Sequence, residues 1–434
     1  MIPKITSGNY HYFKLSDIIR RELAAEEVDD PDIKQLQDKG NALRGQYGPG
    51  CLIKTLFSSI TDGEIKLTAP NIVIDGIKNE GEVELLKSFA NAYLFSIHAS
   101  RTERCRRAIE DRRFENENDF NKADKRDEFE NSKTGQQVKR CNYLADFIIV
   151  NDGHTAPTMA TWHEDFVRDI YRHYIKLIEN NVNGEDSPEI SPSINEMCMT
   201  SAYAQSVMSS CLKRKVGSVI IDLEDISKPD DGHDRVIKYP CIISSGFNEV
   251  PMGSQKCIFH DDFQKCYRDH LQEEHAEKIK FCPSCGKGLD VKIICPTCKK
   301  EYDHYVKFCS GCQKEVKEVY RCPKCYIKVF EEHLPGDKKS PGKLLDMCRS
   351  LHAEEMAILR LAKGGGTQNK NLVLYATTQP CNLCANKIVS AGIKKVVYAE
   401  PYTMKEAAEI LANGNVELER FEGVKSTAFF KLYH

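Results

Sequence analysis

Five C-x-x-C pairs constrain this chain more tightly than any other feature in it. Four stand between 281 and 326: Cys282 and Cys285, Cys295 and Cys298, Cys309 and Cys312, Cys322 and Cys325. Each pair presents two thiolates from one short turn, which suits a tetrahedral zinc ion. The stretch "KFCPSCGKGLDVKIICPTC" aligns with "KFCSGCQKEVKEVYRCPKC" at a shift of 27 residues for all four cysteines, so the segment reads as a duplicated unit. The expectation is two tandem zinc ribbons. Cys282, Cys285, Cys295 and Cys298 hold one structural ion, and Cys309, Cys312, Cys322 and Cys325 hold the other. A crossed pairing of the first and third knuckles stays open at this point. A lone C-x-x-C also reads as a redox dithiol, but four in register argue for metal.

The nineteen cysteines accompany no secretory core in "MIPKITSGNYHYF" and no bilayer-length apolar run. Metal binding or catalysis in a reducing, cytoplasmic compartment therefore explains them better than a disulfide framework. A formal net charge of -3 gives no global case for nucleic-acid binding. Residues 281–326 carry nine Lys and Arg against five Asp and Glu. Four thiolates on one divalent zinc leave about -2 per site, which cancels most of that basicity. The ribbons thus read as structural or partner-docking elements, with RNA contact as the alternative.

The fifth pair keeps different company, in "NLVLYATTQPCNLCANKIVSAGIKKVVYAEPY". "LVLYATT" is strand-favouring, Pro380 breaks it, and "CNLCANKIVSAG" reads as a helix stopped at Gly392. Cys381 and Cys384 then sit at a helix N-terminus, which favours thiolate over thiol. "KKVVYAEPY" is a second strand, so the unit is strand, helix, strand. Upstream, "SLHAEEMAIL" starts another helix with His352, Glu354 and Glu355. With His352 as third ligand, a zinc at Cys381 and Cys384 keeps one position open to water, the mark of a catalytic site. Glu354 can face that water without ligating the metal, and Glu355 reads as an ordinary first-turn carboxylate.

The combination H-x-E with P-C-x-x-C resembles the signature of the zinc-dependent nucleobase deaminases. That resemblance makes Glu354 the proton shuttle for hydrolytic loss of an amine from C4 of cytosine. "SSCLKRKVGSVII" and "CIISSGFNEVP" extend the likeness to the deoxycytidylate deaminase family over most of 193–434, outside an insertion at about 255–345. The likeness implies that Asn248 lies near sugar and base, and that Lys213, Arg214 and Lys215 are phosphate contacts. A strand-end turn and a solvated basic turn are the plainer readings of the same residues. Glu249 stands where nucleotide-regulated members tend to carry Gly, which argues against such control. Cys257, Cys266, His270 and His275 read as spare groups before the ribbons.

Length alone implies two or three domains. In residues 1–160, "NIVIDGIKNEGEVELLKSF", "AYLFSIHAS" and "ADFIIVNDG" alternate strand and helix, as a parallel sheet requires. Their order resembles P-loop nucleotide kinases, but G-x-x-x-x-G-K-[ST] is absent, so this part is expected not to act as an ordinary kinase. "RTERCRRAIEDRR" reads as a solvated helix, and 161–192 as a helix with a polar linker from 180. Together the halves are similar to bacterial anti-phage deoxycytidine nucleotide deaminases. The expected architecture is an α/β/α cytidine-deaminase-like sandwich of three layers with inserted ribbons, preceded by a P-loop-kinase-like parallel α/β domain. The expected function is hydrolytic deamination of dCMP, and of dCTP, with one catalytic and two structural zinc ions. The resemblance implies a homo-oligomer, with a regulatory RNA as a further partner. Action on a base in RNA or single-stranded DNA, and a non-enzymatic zinc-ribbon scaffold, are the alternatives.

Overall fold

A computed structural model describes residues 10–130, 132–152, 171–185, 190–223, 241–270, 290–295, 301–302, 310–311, 317–321, 328–330, 348–366, 371–402 and 405–433. In the N-terminal half, β1 (Tyr10–Lys14) pairs in parallel with β2 (Asn71–Asp75), and β3 (Phe95–His98) with β4 (Phe147–Val150). Helices Leu15–Ala24, Ile33–Tyr47 and Cys51–Thr61 bury Leu15, Ile19, Leu43, Leu52 and Leu56 against one another. The helix Glu80–Lys87 begins in a reciprocal cap between Asn79 and Glu82. Glu82 also pairs with Arg44 at 2.7 Å, both side chains sealed from solvent. Among the described residues β2 and β3 share no ladder; both line a cleft of about 2380 Å³.

The second neighbour of β4 comes from the far end of the chain. β14 (Gly423–Val424) runs antiparallel to it, with Gly423 opposite Ile148 and Val424 opposite Phe147. Ile148 packs with Cys198, Met199 and Phe421, and Phe147 with Leu177, Val424 and Leu432. The two halves of the sequence are thus stitched through one sheet and a shared core. The stretch predicted as a linker from 180 is helical as far as Asn183, where Gly184 (φ 70°) turns the chain.

The C-terminal half is built on a mixed sheet of β5 (Gly217–Asp222), β6 (Cys241–Phe247), β11 (Leu372–Thr378), β12 (Lys395–Glu400) and β13 (Glu417–Arg420), in the order β13-β12-β11-β5-β6. β11, β12 and β13 are parallel, and β5 is antiparallel to both neighbours. Residues alternate between faces with the period of a strand. Ile220, Leu372, Leu374 and Val396 join one core with Cys384 and Ile388, while Val219, Val373, Tyr375 and Val397 join another with Met199 and Ala202. Helix α1 (Ile194–Val207) covers the second face; α2 (Ala353–Lys363) and α3 (Asn382–Ser390) cover the first. This is the α/β/α sandwich expected of the deaminase half. No described helix is long and apolar enough to cross a membrane.

Within the insertion, β7 (Asp290–Ile294), β8 (Glu301–Tyr302), β9 (Lys317–Arg321) and β10 (Lys328–Phe330) form a separate sheet in the order β10-β9-β7-β8. The 27-residue shift carries β7 onto β9 and β8 onto the start of β10. Asp290 faces Arg321 and Ile294 faces Lys317, so the antiparallel pairing maps onto itself under that shift. The duplicated sequence thus folds as a duplicated, two-fold-related hairpin. Cys295 is fully buried at the end of β7; the other seven ribbon cysteines, and His275, lie outside the described residues.

Candidate metal centre

Two helix starts converge to make the site. His352 is the N-cap of α2 and Cys381 the N-cap of α3, each in extended backbone conformation. The His352 Nδ1 lies 3.3 Å from both the Cys381 and the Cys384 Sγ atoms. Among the described residues these three form the one group whose donor atoms all lie within 4.8 Å of one another. An imidazole and two thiolates are a borderline-soft donor set, fit for zinc with one position left over. Hydrogen bonding from Cys384, then from His352, holds the Cys381 thiol down at about 4 against burial. Its partner Cys384 is pushed up by that same bond and by burial. The hydrogen bond to Cys381 raises the His352 pKa.

Strand glycines let helices approach the sheet closely, α2 over Gly246 on the ligand-bearing face and α1 over Gly217 on the other. A Cβ on Gly246 would stand 2.2 Å from the Ala353 carbonyl oxygen, and one on Gly217 would stand 1.9 Å from that of Ala202. Hydroxyls lock the α2 contact: Ser218 donates to the Ala353 carbonyl and Ser244 to that of Ala357. Glu354 is 4% exposed, and burial raises its pKa although it hydrogen-bonds Cys384. Glu355 instead faces outward, pairing with Lys387 at 2.7 Å and accepting the His352 N–H.

The other sequence-predicted residues lie around this centre in unequal roles. Asn248 is buried, its Oδ1 accepting from Val216 N at 2.7 Å and its Nδ2 donating to the Arg214 carbonyl at 2.9 Å. Its amide therefore pins the turn that carries Lys213, Arg214 and Lys215. Those three are exposed and line the cleft toward the N-terminal half, whose lining does not include the metal ligands. Lys213 pairs with Asp269 at 2.6 Å, and Arg214 lies 6.0 Å from the Tyr402 ring centroid. Tyr402 N donates to Gln379, beside Pro380. Glu249 accepts from Ser210 and pairs with Lys256; these contacts outweigh burial and lower its pKa. Cys211, Cys257, Cys266 and Cys348 line one small cavity next to Ser350. Sequence reasoning missed Asp269, which lies in the insertion and belongs to no motif.

Residues 192–400 match the family model of the cytidine and deoxycytidylate deaminase zinc-binding region. The deoxycytidylate deaminase of Schizosaccharomyces pombe is 40% identical over 91 residues, covering 21% of this chain and 28% of that protein. That of Saccharomyces cerevisiae is 40% identical over 78 residues, covering 18% and 24%. The chain thus spans about a quarter of the length of these relatives. A crystal structure of a cyanophage S-TIM5 dCMP deaminase with dCMP and dUMP aligns at 19% identity and a TM-score of 0.27, covering 54% of this chain and 99% of that one.

Proposed function

We propose that this chain, whose residues 192–400 match the model of a deaminase zinc-binding region, hydrolyses the 4-amino group of a deoxycytidine nucleotide, dCMP and also dCTP. The observation that carries the reading is Glu354, a buried carboxyl beside the three-ligand set and not part of it. When bound by His352, Cys381 and Cys384, zinc supplies the Lewis acidity that makes water a nucleophile near neutral pH. Glu354 would take a proton from the attacking water and pass it to N3, then take the second from the new C4 hydroxyl and pass it to the departing amine. The C4–O bond forms first, the C4–N bond then breaks, and ammonia and the uracil nucleotide leave. Burial raises the Glu354 pKa, which suits a group that must take a proton and return it. Glu355, tied to Lys387, supports the helix start.

Glu354→Gln tests this directly. Turnover of dCMP should fall by about 10²–10⁴-fold with zinc retained, the usual worth of a positioned acid–base group. Turnover near the wild-type rate in that variant would refute the assignment.

We assign two further, structural ions to the insertion. Support comes from the self-mapping register, in which the equivalent ends Ile294 and Arg321 lie at opposite ends of the β7–β9 pair. The second and fourth knuckles follow those ends in sequence, which supports adjacent knuckles sharing an ion over the crossed pairing. Metal analysis of the purified chain should give three zinc ions, and Cys295→Ser should lower that to two. A single ion in the wild type would contradict it.

A further inference from the structure

The insertion leaves the deaminase sheet shortly after β6 and returns just before His352, and one residue holds both of its ends. Glu249 follows β6, and its main chain forms an antiparallel bridge with Leu351, the residue before His352. Leu351 N donates to the Glu249 carbonyl at 3.0 Å, and Glu249 N donates to the Leu351 carbonyl at 3.3 Å. The Glu249 carboxylate is 12% exposed and fully engaged. Its Oε1 accepts from Ser210 Oγ at 2.7 Å and from Val250 N at 2.9 Å. Its Oε2 accepts from Ser210 N at 3.0 Å and pairs with Lys256 at 3.2 Å. The returning leg is held a second time, because Arg349 lies 5.7 Å from the Phe263 ring centroid and 5.8 Å from that of Tyr267. Phe263 itself stacks on His260 at 3.9 Å and on His270 at 5.0 Å.

Closing the base of a long insertion costs entropy that contacts at the base must offset. Here Lys256 on the outgoing leg, Leu351 on the returning leg and Ser210 of the basic turn all meet on Glu249. Hydrogen bonds to an ionised carboxylate are of the stronger kind, and this one is largely withdrawn from water. His352 is the N-cap of α2, so the path of the chain into it sets where the imidazole stands relative to Cys381 and Cys384. Groups that orient a ligand govern how firmly a metal is held. We propose that Glu249 is a positioning residue for the metal centre. It fixes the approach of the chain to His352 by stapling the two legs of the insertion to each other and to the basic turn. The proposal rests on the metal-centre reading for the role of His352.

Zinc release from the full chain to a colorimetric chelator tests this without turnover. The phase of release that His352→Ala abolishes belongs to the catalytic ion. Glu249→Gln keeps the size of the side chain and loses its charge. It should speed that phase by about 10-fold, the worth of one charge-assisted bond, and leave the remaining release unchanged. Ser210→Ala removes one donor to the carboxylate and should speed the same phase by about 3-fold. An unchanged phase in Glu249→Gln would overturn the proposal, and so would equal acceleration of all the zinc, the mark of general loosening. If Glu249→Gln folds too poorly to load zinc, Ser210→Ala decides, and a wild-type rate in that variant would overturn the proposal. If no phase of release from the wild type depends on His352, the metal-centre reading falls and takes this one with it.

Discussion

Single side chains in this protein act mostly by holding other groups in place. Asn248 satisfies Val216 N and the Arg214 carbonyl with one amide, so Asn248→Leu should strand a buried donor at about 1–3 kcal/mol. Thermal unfolding of the variant checks this, and the KM for dCMP should rise with the loosened turn. His98 offers a second test. Burial, then Arg420, Arg104 and Lys425, lower its pKa to about 3, so it is neutral in the fold. Ser96 shares a hydrogen bond with its Nε2 and Arg420 lies 3.1 Å from the same atom. The unfolded chain takes up a proton at the ordinary histidine value near 6.5, and the folded chain does not. The His98 contribution is therefore whole above about pH 6.5 and is lost as pH falls toward 3, at up to about 1.4 kcal/mol per pH unit. His98→Asn should flatten the stability profile between pH 6 and 4; an unchanged slope would show that His98 already carries its proton when folded.

At the scale of elements, the metal centre depends on how closely α2 lies on β5 and β6. Gly246→Ala would drive a methyl into the Ala353 and Ala357 backbone, so the helix must shift and His352 with it. The expected result is a loss of about 1–3 kcal/mol from overpacking together with weaker zinc retention against a chelator. Wild-type zinc retention would contradict this dependence. Much of this half was legible in the sequence. "SVII", "LVLYATT" and "KVVY" lie in β5, β11 and β12, and the motif cysteines and His352 meet because each starts a helix after a strand or loop. What escaped was set by tertiary approach. β14 is two residues long and pairs with a strand more than 270 positions earlier, beyond the reach of any local pattern. The Asn248 bonds exist only once β6 ends beside the basic turn. The duplicated cysteines announced the repeat, but only strand register separates the strand ends that precede the second and fourth knuckles.

Across the whole molecule, the N-terminal half is packed into the body that carries the metal-ligand cluster and is not an appendage. Lys425, 2% exposed, donates to the Tyr143 carbonyl at 2.7 Å and to Glu400 at 2.9 Å, joining β14 and the helix at Val138–Tyr143 to the end of β12. Lys425→Met would leave Glu400 without its buried counterion, at about 3–5 kcal/mol. Calorimetry should show a lower transition in which both halves lose stability; a change confined to one half would contradict the shared core. The most direct test of the central claim is ammonia release by the zinc-loaded full chain, given dCMP, dCTP, cytidine and a cytosine-containing single strand in separate reactions. The account predicts ammonia and the matching deoxyuridine nucleotide in equal amounts from the free deoxynucleotides. Release from the strand alone, or from none of the four, would contradict it.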